Sequence, residues 1–370
     1  MALESMTAVL TVNPGSHSLR LHVVDADTDE ILAAATSTDK PDAQSAAKTL
    51  RELLGDLDTP PDAVGHRLVH GGPHLRSPTV VDDSALQHAR TAAELAPEHV
   101  PVTLDILSAA CDQLPDIPHV LCPDTAFHAS LPDVSTTYPV PESWRRDHGI
   151  RRYGFHGLSY AWATSRAAEL LNRPAESLNL LLAHLGGGCS VCAVREGSSV
   201  DTSMGFTPLD GVPMSTRSGG VDPGMLLWLL DRLTADEVRD GLYHHSGLLG
   251  LSGISGDTRQ LVRSAEAGDD RARLALDVFT RRVSQALAAM AVTLPRLDAL
   301  VFTGEIGWDQ PEVRQAVCQD LTRIGVPATL PVGNPVTDRV LSSPFAPVLV
   351  LAVQPREELQ IARETSKALV

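Results

Sequence analysis

The feature that most constrains the fold is a motif that occurs twice, about 170 residues apart. In each copy an apolar run enters a turn of small residues, and a second apolar run follows: 9-VLTVNPGSHSLRLHVVD-25 and 178-LNLLLAHLGGGCSVCAVREG-197. Apolar and β-branched runs on both sides of such a turn predict a pair of strands. The recurrence predicts a chain built from two related halves.

Strands and helices alternate through the rest of the chain. The apolar residues Leu276, Phe279 and Val283 recur at steps of three and four, as in an amphipathic helix. We predict helices over 41–56, 84–95, 159–171, 270–294 and 355–369, the last begun by Pro355, and buried strands over 119–124, 297–304 and 348–353. This alternation predicts an α/β fold. Pro139, Pro141 and the charged stretch 143–152 mark the expected boundary between two packed lobes.

Charge and hydropathy exclude several classes of protein. The 30 basic and 46 acidic side chains give a net charge of −16, which disfavours a nucleic-acid partner. The longest apolar runs, such as 348-VLVLAV-353, are far shorter than a membrane helix, so no membrane association is expected. The N-terminus lacks the pattern of a secretory signal, and five scattered cysteines suit a reducing compartment. We expect a cytoplasmic protein.

Three glycine-containing segments follow predicted strands and are candidates for binding an anion. They are the turn Asn13–Ser18, the turn Gly186–Gly188 after His184, and the loop 302-FTGEIGWDQ-310. Small residues let backbone N–H groups approach a phosphate closely. None is a Walker A motif, and the first alone is more readily explained as an ordinary hairpin turn. Together they predict a phosphate-bearing ligand at the carboxyl ends of strands.

Four side chains are candidates for chemistry. Arg67 and Arg217 lie in turn-rich segments with few acidic neighbours in sequence, and arginine binds carboxylate or phosphate with two hydrogen bonds. Asp124 follows an apolar strand, and His156 lies next to glycines, as acid–base or electrostatic residues often do. From the residues alone, a solvated arginine and a structural histidine remain alternatives.

The motifs, taken together, resemble those of the acetate kinase family, within the superfamily of sugar kinases, heat-shock ATPases and actin. The resemblance runs in order from about residue 9 to residue 364 and rests on VGHRLVHGG, PDTAFHASLP, GIRRYGFHGLSYAWA, LLAHLGGGCSVCAV and DTSMGFTPLDGVPMSTRSGGVDPG. It implies a two-lobed actin-like fold with duplicated mixed sheets and the active site in the cleft. The implied domains are 1–147, with the helix 355–370 packing back on it, and the nucleotide-binding lobe 148–354.

The resemblance also implies an activity. Members of the family transfer a phosphoryl group from ATP to acetate in line and reversibly, giving acetyl phosphate and ADP with Mg²⁺ or Mn²⁺, and are usually homodimers. The implied residues are Asp124, His156 and Arg217 for catalysis, Arg67, Val69, Phe155 and Pro208 for the carboxylate substrate, and Asn13 and Glu357 for the metal. Those implied for the nucleotide are Arg20, His184, Leu185, Gly186, Gly187, Gly188, Asp257, Thr258, Arg259, Gly304, Glu305, Ile306, Gly307 and Trp308.

The chain departs from the family pattern around the nucleotide. Gly187 replaces an asparagine, Glu305 and Trp308 interrupt a run that usually reads GGIGEN, and Leu158 and Tyr160 replace a threonine and a histidine. A carboxylate at position 305 either repels phosphate or contacts the ribose or base. Two alternatives therefore accompany the acetate kinase prediction: a kinase for propionate or another short carboxylate, and a catalytically weak nucleotide-binding protein with a sensing or partner-binding role.

Overall fold

The computed structural model describes residues 8–15, 18–38, 42–331 and 333–370. The chain forms two compact units, Met1–Ala129 with Arg356–Val370, and Ser130–Pro355. The domain limits 147–148 and 354–355 stay a prediction. Among the described residues, no helix is both long and apolar enough to cross a membrane.

In the first unit the strands are β1 Ala8–Pro14, β2 Leu19–Asp25, β3 Glu30–Ser37, β4 Ala63–Leu68, β5 Thr79–Val80 and β6 His119–Pro123. Its helices are α1 Ala43–Gly55, α2 Asp83–Ala92, α3 Val100–Gln113 and, from the end of the chain, α14 Glu357–Leu369. A 3-10 turn spans Ala126–His128.

In the second unit the strands are β7 Asn179–Leu185, β8 Cys189–Arg195, β9 Ser198–Thr202, β10 Ala299–Thr303, β11 Arg339–Val340 and β12 Leu349–Ala352. Its helices are α4 Asp133–Thr136, α5 Glu142–His148, α6 Gly157–Leu171, α7 Pro223–Leu230, α8 Ala235–His244, α9 Gly247–Ser252, α10 Thr258–Glu266, α11 Asp270–Ala291, α12 Gly304–Asp309 and α13 Pro311–Asp320. The 3-10 turns are Ala175–Ser177 and Thr322–Ile324.

The two units contain the same sheet. Within the described residues, six strands are ordered β3-β2-β1-β4-β6-β5 in the first unit and β9-β8-β7-β10-β12-β11 in the second. In both, the first three strands pair antiparallel, the next two pairs are parallel, and the short edge strand is antiparallel. The duplicated α/β architecture predicted from the two hairpins is therefore confirmed.

In the first unit the sheet is covered on both faces. Side chains alternate along a strand, so neighbouring residues point to opposite faces. Val64 packs in a core cluster with Leu50 of α1 and Ile106 of α3. Gly65, the next residue, faces α14 so closely that a Cβ there would lie 2.2 Å from Thr365 Oγ1 and 2.6 Å from a methyl carbon of Ile361. The last helix of the chain is thus one layer of the first unit.

Three predicted boundaries differ from the structure. The last helix begins at Glu357, capped by Arg356, so Pro355 lies before it. The predicted loop after β10 is instead the short helix α12, because Gly304 turns the chain at φ 78° directly after Thr303. Asn13 and Pro14 still belong to β1, and the first turn closes with a bond from Gly15 N to Ser18 O at 2.8 Å. Ser16 and His17 of that predicted turn lie outside the described residues.

Candidate functional site

The first unit contains a buried ion pair at the carboxyl ends of two neighbouring strands. Arg67 is the penultimate residue of β4, and Asp124 follows the last residue of β6, which pairs with β4 in parallel. Asp124 Oδ2 accepts from Arg67 Nη2 at 2.7 Å and from Nε at 3.1 Å. The Asp124 side chain is 1% exposed and that of Arg67 14%. Because two N–H groups of one guanidinium donate to the same carboxylate oxygen, the pair fixes the guanidinium plane.

Two more side chains join this pair. Arg67 Nη1 donates to Asn13 Oδ1 at 3.3 Å and to the carbonyl oxygen of Pro14 at 3.2 Å. Asn13 Nδ2 in turn donates to Glu357 Oε2 at 2.9 Å. The network joins the ends of β1, β4 and β6 to the first residue of α14. Residues separated by up to 344 positions thereby form one centre.

The guanidinium of Arg67 stays protonated and positively charged. Burial by itself would lower the pKa of the guanidinium, because the charged form loses its hydration. The negative charges of Asp124 and Glu357 outweigh that effect and raise the pKa above its ordinary value. Arg67 is therefore a permanent cation in a dry environment, where its field on a bound anion is stronger than in water.

The same centre has ligands suited to a hard divalent cation. Asn13, Asp124 and Glu357 supply amide and carboxylate oxygens, the donors that Mg²⁺ prefers. Among the described residues, no group of three or more His, Cys, Asp or Glu side chains forms a complete metal cage. Mg²⁺ usually keeps several waters and binds through one or two carboxylates and substrate phosphates, so this donor set fits it.

The second unit places two predicted histidines face to face. His156 and His184 stack with ring centroids 4.1 Å apart. His156 adopts a left-handed conformation, φ 59°, at the N-terminus of α6, while His184 is the penultimate residue of β7, whose residues are all buried. His156 Nδ1 lies 2.8 Å from Ser190 Oγ, and His184 Nδ1 lies 2.7 Å from Ser159 Oγ. In both rings the serine hydroxyl occupies Nδ1, so a ligand of either imidazole would bind through Nε2.

A glycine lets both His156 and Arg217 approach the loop after β7. A Cβ at Gly188 would lie 3.2 Å from His156 Nε2 and 3.8 Å from Arg217 Nη1. Arg217 Nη1 also donates to the carbonyl oxygen of Pro208 at 3.3 Å. Two cationic or hydrogen-bonding groups thus converge on one glycine, which is the arrangement needed to hold a phosphoryl group.

A cavity of about 450 Å³ lies beside this loop in the second unit. Of the residues predicted to contact nucleotide, its lining contains Gly186, Gly187, Asp257, Thr258, Arg259, Glu305 and Ile306. Asp257 caps α10, and the hydrogen bonds from Arg259, chiefly from its side chain, lower the pKa of the carboxyl. Close packing requires a glycine at position 304, since a Cβ there would lie 2.4 Å from the carbonyl oxygen of Leu185. The cavity lining does not include His184, Leu185, Gly188, Gly304, Gly307 or Trp308.

The remaining predicted residues fall in both units. Val69 follows the end of β4 and is buried, while Arg20 lies on β2 opposite Asn13. Phe155, 1% exposed, and Pro208, also buried, belong to the second unit. Arg20 is therefore in a different unit from the cavity that contains the other nucleotide candidates.

Sequence reasoning missed the residues that position the histidines. Tyr160 was noticed only as a departure from the family pattern, yet its hydroxyl lies within hydrogen-bonding distance of Ser190 Oγ, which also holds His156. Ser159 was not singled out. The available signal was the spacing, because hydroxyls three and four residues after His156 lie on the first turn of α6.

Comparison with known proteins agrees with this architecture. A model of the "Acetokinase family" matches residues 33–363. A curated acetate kinase of Deinococcus radiodurans is 41% identical, with 96% of this chain and 97% of the relative aligned. The crystal structure of Porphyromonas gingivalis acetate kinase superposes with a TM-score of 0.91 at 31% identity, covering 98% and 100% of the two chains. A propionate kinase structure from Francisella tularensis gives 0.90 at 30% identity, also covering 98% and 100%. The chain is a member of the acetate kinase family.

Proposed function

We propose that this protein is an acetate kinase, which transfers the γ-phosphoryl group of ATP to acetate and gives acetyl phosphate and ADP reversibly. The observation that carries the proposal is the buried Arg67, fixed by Asp124 and joined to Asn13 and Glu357. Arg67, Asn13, Asp124 and Glu357 lie in the first unit, whereas the residues proposed for the nucleotide, apart from Arg20, lie in the second.

Arg67 would hold the carboxylate of the acceptor. Of the five N–H groups of a guanidinium, the bonds to Asp124, Asn13 and Pro14 use four, which leaves one on Nη2. A single bond to one acetate oxygen leaves the other oxygen to attack phosphorus. Acetate is already ionised near neutral pH, so no general base is needed, and Asp124 serves to orient Arg67. Val69, Phe155 and Pro208 would line the acyl group.

His156 and Arg217 would stabilise the transferring phosphoryl group. Phosphoryl transfer needs positioning and charge stabilisation more than covalent chemistry. Both side chains approach Gly188, so donors on either side of that glycine would share the charge of the equatorial oxygens. Loss of one such donor typically lowers the rate on the order of 100- to 1,000-fold. The remaining contacts with the nucleotide would come from the predicted residues that line the cavity and from Arg20, His184, Leu185, Gly188, Gly304, Gly307 and Trp308.

Asn13 and Glu357 would hold the divalent metal, Mg²⁺ or Mn²⁺. When bound, the metal neutralises phosphate charge and acts as a Lewis acid. Glu357 can supply its carboxylate because it stands in the first turn of α14, where it is fixed by Asn13.

Hydroxylamine trapping of acyl phosphate tests the proposal. Wild type and Arg67→Ala would be assayed with ATP and Mg²⁺ against acetate, propionate and butyrate. Turnover of acetate that is lost in Arg67→Ala supports the proposal. A preference for propionate, the substrate named for the Francisella relative, would instead assign the chain to a longer acceptor. No turnover with any acid, repeated with GTP and pyrophosphate as donors, would refute it and favour a nucleotide-binding role.

We also infer a homodimer. The helix α7 has no buried residue, and its apolar side chains are exposed: Leu227 by 69% and Trp228 by 55%. Contiguous exposed apolar side chains of this kind mark protein interfaces. The five cysteines are all free, which agrees with the proposed cytoplasmic location.

A further inference from the structure

A second cavity, of about 410 Å³, lies in the first unit between the C-terminal helix and the segments that follow β4 and β6. One part of its lining is apolar and comes from Pro78, Ala126, Phe127 and Ala368. Another part consists of the polar and charged residues Arg76, Ser77, Gln360, Arg363, Glu364 and Lys367. It is separate from the cavity of the second unit. Its lining overlaps the family-like segments 123–132 and 357–364, but it contains none of the residues that the resemblance assigns to the substrate, the nucleotide or the metal.

Two cations of this cavity, Arg76 and Lys367, form no ion pair among the described residues, although the charge of Lys367 acts on the nearby Glu364. Arg363 forms an ion pair with Asp29. Within the described part of the chain, neither Arg76 nor Lys367 lies within ion-pair distance of a carboxylate. Both side chains are exposed, and Arg76 also donates to the carbonyl oxygen of Ala129. They give this cavity of an acidic protein a positive side, which suits an anionic ligand.

A carboxyl group that lacks half of its hydrogen bonds also lines the cavity. Glu364 Oε1 accepts from Gln360 Nε2 at 3.1 Å. Its second oxygen, Oε2, is buried and has no hydrogen-bond partner among the described residues. A buried polar atom without a partner is costly, and a ligand that supplies one would be favoured.

We propose that this cavity is a binding site for a small carboxylate with an apolar body. Its carboxylate would lie between Arg76 and Lys367 and accept a hydrogen bond from Glu364 in its protonated form, while its apolar body would contact Phe127 and Pro78. Two carboxyl groups can share one proton in this way, but two carboxylates repel each other. The shared proton and the apolar wall of the cavity favour such a carboxylate over phosphate.

The groups around Glu364 decide how binding depends on pH. Burial raises the pKa of Glu364 to about 7, the hydrogen bond from Gln360 and the charge of Lys367 act to lower it, and the charge of Asp124 acts to raise it. Arg76 and Arg363 line the same cavity. The thiol of Cys122 adds no charge, because burial holds its pKa well above the ordinary value. Glu364 is therefore mostly protonated at pH 6 and mostly ionised at pH 8. Because only the protonated form is competent, affinity should fall about tenfold between these pH values.

Calorimetric titration with benzoate, which is ionised at both pH values, tests the site in the full-length protein. We expect saturable binding at pH 6 that weakens about tenfold by pH 8, in proportion to the protonated fraction of Glu364. Arg76→Ala with Lys367→Ala should weaken binding at least about tenfold, as expected for the loss of two charged hydrogen bonds. The matched double variant Lys48→Ala with Arg51→Ala, which removes two cations of α1, should leave it unchanged. Glu364→Gln keeps a donor but cannot titrate, so its affinity should be equal at the two pH values.

The acceptor site proposed above also binds carboxylates, so Arg67→Ala separates the two sites. Benzoate binding that persists in Arg67→Ala belongs to the second cavity, whether or not acetate kinase activity is found. No saturable binding at pH 6 would overturn the inference. Binding that is lost in Arg67→Ala and kept in the Arg76, Lys367 double variant would overturn it as well. If Arg67→Ala does not fold, the two double variants and Glu364→Gln still decide the question.

Discussion

At the scale of single residues, the proposed role of Asp124 is to orient Arg67 without exchanging a proton. Both of its hydrogen bonds from Arg67 go to Oδ2, so its charge holds the guanidinium in one plane. In Asp124→Asn we expect kcat/KM for acetate to fall on the order of 100-fold, because small misplacement of a binding group costs that much. A pH–rate profile of wild type and variant checks the reason. A rate loss that follows a titrating base in wild type and disappears in Asp124→Asn would contradict the orienting role.

Glu364 predicts a pH dependence of stability. Its pKa is raised from 4.5 to about 7, chiefly by burial, so the folded chain binds the proton more tightly than the unfolded chain. The contribution of Glu364 to the free energy of unfolding therefore falls as the pH rises from 4.5 to 7, by up to about 3 kcal/mol. Glu364→Gln should therefore gain stability relative to wild type as pH rises. Denaturation at pH 4.5 and pH 8 measures the difference. The exposed Glu94→Gln serves as the control, and an equal difference at both pH values for Glu364→Gln would refute the assignment.

At the scale of elements, the short helix α12 contains Glu305, the departure from the family pattern that bears most on the proposed nucleotide site. Glu305 and Asp309, one turn apart, both line the cavity of the second unit, where Arg259 is already paired with Asp257. This wall is consequently acidic and disfavours a polyanion. In Glu305→Gln we expect KM for ATP to fall about three- to tenfold, a free-energy change of about 1 kcal/mol typical of one screened charge. Glu312→Gln, an exposed acid of α13 outside the cavity, should have no effect. An unchanged or higher KM in Glu305→Gln would mean that the carboxylate accepts a hydrogen bond from the nucleotide.

Elements with strong periodicity or repetition were predictable, and those shaped by packing were not. The helix predicted at 270–294 is found at Asp270–Ala291, because a long amphipathic pattern identifies a helix better than its ends. The two hairpins were predictable from apolar runs and turn residues. The helix α12 was not, because six residues with two glycines carry no periodic signal. Its helical conformation follows from contacts of Gly304 with Leu185, more than 100 positions away.

The site was predictable by residue type more than by contact. The resemblance to the family proposed Arg67, Asp124, Asn13 and Glu357, and the structure brings these four into one network. No spacing in the sequence pairs Arg67 with Asp124, because their proximity comes from the parallel pairing of β4 and β6. The cavity with Glu364 was missed altogether, since its lining comes from three separate segments that nothing in the sequence connects.

At the scale of the whole molecule, duplication explains why chemistry gathers at strand ends in both units. In each sheet the central strands are parallel, so their carboxyl ends lie at one edge, where loops can bind ligands. The first unit uses the edge for Arg67 and Asp124, and the second uses it for His184 and Gly304. The helix α14 returns to complete the first unit and brings Glu357 with it. The same sheet architecture thus places a different set of candidate binding residues at the strand ends of each unit.

The exposed helix α7 predicts how copies of the molecule associate. The apolar side chains Met225, Leu227, Trp228 and Leu230 lie within one short helix that buries none of its residues in its own chain. Covering such a helix with the same helix of a second copy gives a two-fold interface, because an isologous contact uses one surface twice. We expect Leu227→Arg to place two like charges in that interface and to dissociate the dimer at micromolar concentration. Sedimentation velocity measures the change.

The matched control for this experiment is Val134→Arg, since Val134 is an apolar residue of the same unit that is 88% exposed and lies outside α7. Both variants add the same charge to the surface, so solubility effects should be equal. Val134→Arg should sediment as wild type, whereas Leu227→Arg should sediment as a monomer with an unchanged circular dichroism spectrum. If Leu227→Arg remains a dimer, α7 is not the interface. If wild type itself sediments as a monomer, the proposed dimer does not form. The exposed apolar helix α7 would then favour aggregation unless another partner covers it.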